Sequence, residues 1–328
     1  MTGSVIEVRH LTKRYRHTTA ISDLSFRVGP GLVTGFLGPN GAGKTTTMRL
    51  ILGLGRPTSG TATVAGRAYT DLPRPLTTLG TLLDAQAVNP HRDGFHHLLA
   101  LAQSNGIGAR RVRETIDLVG LSDVVHRPAG VYSLGMKQRL GIAGALLGDP
   151  AGVMLDEPLN GLDPEGIVWL RGLLRRLADE GRVVLLSSHL MSEMALIADH
   201  LVVVGKGRLI ADTPTAELLR DRAPGSMLVR AEGADAFAEL LRGAGASVDV
   251  EADGALRVHG LDGQGVGRLA ARHRVVVTEL TPVQPSLENA FIGLTRDSVE
   301  YAATPSAELP SEVPSAEVPS AELRNGAR

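Results

Sequence analysis

The sequence predicts an α/β fold built on a parallel sheet, with a smaller α+β unit behind it, and three observations predict it. Apolar strand-like runs at 32–37, 152–155, 183–187 and 201–204 alternate with helical stretches such as 44–54, 168–179 and 191–198. That alternation is the pattern of a parallel sheet covered by helices. The first of these runs leads through a glycine-rich turn straight into its helix, and after Pro214 the spacing of strand and helix signals changes.

Taken in order, residues 5–28 read as strand-rich and contain Tyr15, followed by the strand at 32–37 and the helix at 44–54. The stretch from about 86 to 148 interrupts the sheet pattern with helix signals at 94–105 and 110–119, and it reads as an inserted helical subdomain. Its last helix opens at "YSLGMKQRLGIA", where Ser133 is placed as an N-cap and Gly135 sits in the first turn although glycine is a poor helix former. A helix at 215–220 ends the first domain, assigned to 1–222. Strand signals at 227–231, 247–251, 255–259 and 275–280, with helices at 234–242 and 263–272, predict a βαββαβ unit within a second domain, 226–298. The last stretch, 302–328, carries "PSAELPSEVPSAEVPSAEL" and too little apolar surface to offset its ordering entropy, so a disordered tail is expected.

Composition narrows the function. A chain of 328 residues, 43% hydrophobic with a net charge of −1, has no electrostatic basis for a nucleic-acid partner. Without cysteine it has no disulfide, thiolate metal site or cysteine nucleophile, which suits a reducing cytoplasm. Charges at Glu7, Arg9, Lys13, Arg14 and Arg16 break the N-terminus where a secretory signal needs an apolar core. The longest apolar runs fall far short of the roughly 20 residues that cross a bilayer as a helix. Any membrane role therefore calls for another chain to span. Only four of the 34 basic residues are lysine (Lys13, Lys44, Lys137 and Lys206), which makes each lysine an informative choice.

Chemistry concentrates at strand ends. Gly38, Pro39, Asn40, Gly41, Ala42, Gly43, Lys44 and Thr45 match G-x-x-x-x-G-K-[ST] between a strand and a helix. Glycines let backbone N–H groups turn toward phosphate oxygens, Lys44 reaches the β/γ-phosphates, and Thr45 offers a hydroxyl to Mg²⁺. The strand "GVML" ends in Asp156 and Glu157, suited to holding Mg²⁺ and to orienting or deprotonating an attacking water. A third strand delivers His189 to the same edge, placed to stabilise developing charge. Asp163 and Pro164 form a cap-then-proline helix start. Tyr15 offers an aromatic face that either stacks on a base or packs within its hairpin.

Tyr15, "GPNGAGKTT", "YSLGMKQ", "VMLDEP", "NGLD" and "SSHL", in that order across about 5–215, resemble an ABC transporter ATP-binding subunit. The resemblance implies a P-loop ATPase domain of ABC type in which two subunits face each other head to tail, each ATP lying between one phosphate loop and the other subunit's signature motif. It implies that Tyr15 stacks on adenine, that 38–46, including Thr46, cradle the phosphates, and that Asp156 supports Mg²⁺. Glu157 is then the catalytic carboxylate, His189 the switch histidine, and Asp163 a residue of the dimer-crossing loop. Ser133 and Gly135 match the signature's serine and second glycine and meet the ATP of the second subunit, while Leu134 and Met136 depart from its usual glycine and glutamine. Where the family carries a glutamine that touches Mg²⁺, this chain holds Asp84, with Gln86 two residues on as the register alternative. "YSLGMKQRLGIA", Asp84 and "PSLENAFIGLT" (285–295) resemble the drug- and antibiotic-export subgroup of daunorubicin- and bacitracin-resistance ATPases. The implied partners are a separate transmembrane permease and a second copy of the chain, at the cytoplasmic face of the cell membrane. The alternative, a soluble ABC-type ATPase acting on nucleic acid or ribosomes, lacks the paired cassettes, coiled coils or basic excess such proteins carry.

Overall fold

The computed structural model describes residues 5–222, 225–283 and 286–295. The expected tail at 302–328 lies outside them. The chain opens with a hairpin of β1 (Ile6–Tyr15) and β2 (Thr18–Val28), enters a second sheet through β3 (Val33–Leu37) and turns into α1 (Lys44–Ile51). β4 (Ser59–Val64), α2 (Pro75–Thr78) and β5 (Gly80–Leu82) lead to three helices, α3 (Gly94–Ser104), α4 (Ala109–Leu118) and α5 (Leu134–Leu146). Then come β6 (Gly152–Leu155), α6 (Pro164–Asp179), β7 (Val183–Ser187), α7 (Met191–Ile197), β8 (His200–Gly205), β9 (Arg208–Pro214) and α8 (Thr215–Arg222).

Two sheets pack face to face, with one of two cores between them. β2, β1 and β4 form an antiparallel sheet, and the six-stranded sheet runs β5-β6-β7-β3-β8-β9, parallel except for its last pair. Alternate residues of its strands divide between two cores. Val153, Leu155, Val184, Leu186, Leu201 and Val203 join the helical side. Met154, Val183, Leu185, Val202 and Val204 join Ile6, Val8, Ile21 and Leu24 of the antiparallel sheet. Burial on both faces is why these strands read as unbroken apolar runs rather than alternating ones.

Parallel strands end at one edge. Because β6, β7 and β3 are consecutive neighbours, the loops that follow them, carrying Asp156 and Glu157, Ser188 and His189, and residues 38–43, lie side by side. The inserted helices pack through Leu98, Ala102, Val112, Ile116, Leu140 and Ala143. Asp93 caps α3 by accepting from His96 N at 2.7 Å. No helix among the described residues is long and apolar enough to cross a membrane.

Beyond α8 the chain forms β10 (Ser226–Ala231), α9 (Ala234–Gly243), β11 (Ser247–Val250), β12 (Leu256–His259), α10 (Gly263–His273) and β13 (Val277–Val283). This is the βαββαβ order, an antiparallel sheet β11-β12-β10-β13 with α9 and α10 over a separate core of Val229, Phe237, Leu241, Leu256, Val258 and Val266. One element departs from the expected 226–298 unit. α11 (Leu287–Thr295) packs against α7 and α8, and its Leu287 and Ala290 are buried in the large core beside the six-stranded sheet. The reason is hydrophobic: α7 has only seven residues, and a helix that short depends on tertiary cover for its stability.

Candidate active site

The site starts from a backbone that only glycine allows. Gly43 sits at φ +99°, and a Cβ there would lie 2.7 Å from the Ala20 carbonyl oxygen. α1 begins directly after it without a side-chain cap, so its first N–H groups and its dipole are left for another acceptor. They face a cavity of about 300 Å³ lined by 39–46, Ala20, Asp156 and Glu157. Lys44 is 8% exposed, and its ammonium donates to the Gly38 carbonyl at 2.5 Å and the Pro39 carbonyl at 3.3 Å. Burial pushes the Lys44 pKa below its ordinary value, against the pull of the Glu157 and Asp156 carboxylates.

Both oxygens of Asp156 are held. Thr45 Oγ1 donates to Oδ2 at 2.7 Å and Ser187 Oγ to Oδ1 at 2.5 Å. A hydroxyl from the first turn of α1 and a strand-end carboxylate are hard oxygen donors of the type magnesium takes, with phosphates and waters completing its shell. Among the described residues no group of three or more His, Cys, Asp and Glu forms a metal cage, so these residues fit an ion shared with a phosphate rather than one held by protein alone.

Glu157 occupies the left-handed region at φ +48°, a conformation that costs a non-glycine residue about 1–2 kcal/mol. Its N–H donates to Ser187 Oγ at 2.8 Å, and its carbonyl accepts from Gln138 Nε2 at 3.1 Å. Its carboxylate Oε2 lies 2.8 Å from His189 Nδ1 and 3.2 Å from His189 N. An ionised carboxylate only accepts, so the proton in the first contact is on His189 Nδ1. In the neutral ring Nε2 then carries the lone pair.

The remaining expected residues are distributed around this centre. Tyr15 stands 53% exposed at the end of β1, with the Lys13 ammonium 4.8 Å from its ring centroid; it is not in the cavity lining, although Ala20 across the hairpin is. Asp84 follows β5 on the surface and accepts from Gln86 N at 2.8 Å; neither residue lines the cavity. Asp163 caps α6 by accepting from Gly166 N at 2.9 Å. Ser133 is exposed and caps α5, accepting from Met136 N at 3.2 Å. Gly135 has an intrachain reason to be glycine, since a Cβ would lie 2.7 Å from the Gly161 carbonyl oxygen.

Sequence reasoning missed Ser187 and Gln138. Ser187 is the sole polar residue in the buried strand β7, and a hydroxyl there must find partners. Gln138 is buried at 3% exposure in a helix start otherwise read for its serine and glycine. Both were visible as polar residues at positions that the apolar pattern places inside.

The ABC transporter family profile matches residues 21–160, and a domain of unknown function matches 225–288. The chain is 34% identical to the bacitracin transport ATP-binding protein BcrA of Enterococcus faecalis, over 88% of this chain and 95% of that one. It is also 34% identical to the daunorubicin/doxorubicin resistance ATP-binding protein DrrA of Streptomyces peucetius, over 92% and 96%. Among solved structures, an ATP-binding subunit of an ABC transporter superposes with a TM-score of 0.60 at 27% identity, over 66% of this chain and 92% of that one. A dimeric cassette bound to ADP and Pi gives 0.59 at 20% identity, over 64% and 98%, a likeness of fold alone. The phosphate loop, the strand-end carboxylates and full-length relatives above 30% identity agree: the chain belongs to the ABC transporter ATP-binding proteins and is an ATP-hydrolysing enzyme.

Proposed function

We propose that this chain is the motor subunit of an exporter for a drug or antibiotic, working as a pair of copies beneath a separate permease at the cytoplasmic face of the membrane. The transport of bacitracin and the resistance to daunorubicin named for its relatives support that substrate class. The observation that carries the catalytic reading is the pair of contacts at the cavity mouth, Thr45 to Asp156 and Glu157 to His189. In this reading the N–H groups of 38–46 and the Lys44 ammonium bind the phosphates, and Tyr15 stacks on the base. Thr45 and Asp156 would hold Mg²⁺, and Asp84, on the loop after β5, is the further acid assigned to it. When bound there, the ion neutralises phosphate charge. Glu157 orients the attacking water and takes its proton, and His189 holds the carboxylate while its ring faces the developing charge.

Ser133 and Gly135 belong, in this reading, to the second copy's nucleotide. The N-terminus of α5 presents backbone N–H groups and a hydroxyl on the surface, where an anion is favoured. Co-expression with a permease in drug-sensitive cells tests the transport reading: survival that needs both chains and is lost in Glu157→Gln supports it. Survival unchanged in that variant contradicts it.

A further inference from the structure

Gln138 is the only polar side chain among the buried residues of α5. It lies five positions after Ser133, the cap of the same helix, and its amide crosses to the chain segment that ends β6. There it donates to the carbonyl of Glu157 at 3.1 Å. The Glu157 peptide is thus pinned at both ends, its N–H by Ser187 and its carbonyl by Gln138, around a left-handed φ that a glutamate does not adopt unaided. The backbone direction sets where the carboxylate points, and the carboxylate in turn meets His189.

We infer that Gln138 is a positioning residue for ATP hydrolysis: its amide fixes the backbone of Glu157 and ties that carboxylate to the helix that begins at Ser133. One rigid helix then joins the two halves of different sites. A shift of the α5 N-terminus on meeting the second copy's nucleotide moves Gln138, and through it the Glu157 of its own chain. The inference rests on the proposed roles of Glu157 and Ser133.

The test uses the full-length chain. Gln138→Leu keeps most of the volume and removes the donor; it is expected to lower kcat about tenfold while the nucleotide Kd stays within about twofold. Gln138→Glu adds a readout that packing alone does not move. Its carboxylate cannot donate, whereas its protonated form can, and burial raises a carboxyl pKa into an accessible range. Its rate relative to the unmodified chain therefore climbs as the pH falls from about 8 to about 6. Gln138→Met serves as a second neutral replacement should the charged one fail to fold. Normal kcat in Gln138→Leu and Gln138→Met, or a Gln138→Glu rate ratio that stays flat with pH, overturns the inference. Normal turnover in Glu157→Gln overturns the reading of Glu157 instead, and so separates the two failures.

Discussion

The two ends of the molecule to which the proposed function assigns phosphate are built in opposite ways. At the phosphate loop, Thr45, Asp156, Ser187, Glu157 and His189 form a continuous set of hydrogen bonds inside one chain, anchored on three adjacent strand ends, and Lys44 beside them donates to the loop carbonyls of Gly38 and Pro39. At the start of α5, Ser133 is exposed, and its hydroxyl accepts only from the backbone of its own first turn. The first end is organised before any partner arrives. The second presents groups outward from a rigid helix, and its glycine is already committed to close packing against Gly161. A closed network and an open helix end in one chain fit the proposed division of each site between two copies.

The strongest way to break the comparison is at the closed end. Lys44→Ala is expected to lower ATP turnover by about 100-fold or more, measured as phosphate release, because the proposed function gives the phosphates this cation from the cavity lining. Ser133→Asp probes the open end with folding held constant, since aspartate caps a helix as well as serine does. Its added charge repels a phosphate, so turnover falls about tenfold or more while nucleotide binding by the single chain, measured by fluorescence, is unchanged. Asp163→Ala removes the α6 cap and lowers unfolding stability by about 1 kcal/mol in a denaturant titration.

The smallest effect concerns Lys44 and pH. Its folded pKa lies below 10.5, so any difference in stability from Lys44→Met stays constant at pH values well beneath that folded value. Between the folded pKa and 10.5 the unfolded chain binds more protons, so the unmodified chain gains stability relative to Lys44→Met as pH rises. Thermal midpoints of the two proteins across that range check the sign.

Much of the closed end was legible in the sequence because its parts sit on local patterns. The Gly38 to Thr45 spacing demands a strand and a helix on either side, and both are there. Strand-end acids and His189 follow from parallel topology, since runs buried on both faces place their ends on one edge. What escaped was set by contacts between elements. That Ser187 bridges Asp156 and Glu157 depends on β6 and β7 being neighbours, and that Gln138 reaches Glu157 depends on how α5 lies over them. The placement of α11 was equally invisible: "SLENAFIGLT" reads as an apolar helix, and nothing in its period says which core it joins. The absence of Tyr15 and Asp84 from the cavity lining has the same origin, because Tyr15 is the last paired residue of β1 at the hairpin turn and Asp84 lies past the end of β5.

Mixing Lys44→Ala with Ser133→Asp tests the divided site most directly. On the proposed function each variant alone pairs one damaged half with one intact half at both sites and turns over ATP slowly. In a mixed pair one site receives both damaged halves and the other receives both intact ones, so an equal mixture is expected to recover about a quarter of the unmodified ATPase activity. A mixture that stays as inactive as its components, with mixed pairs verified by differential tagging, contradicts the account.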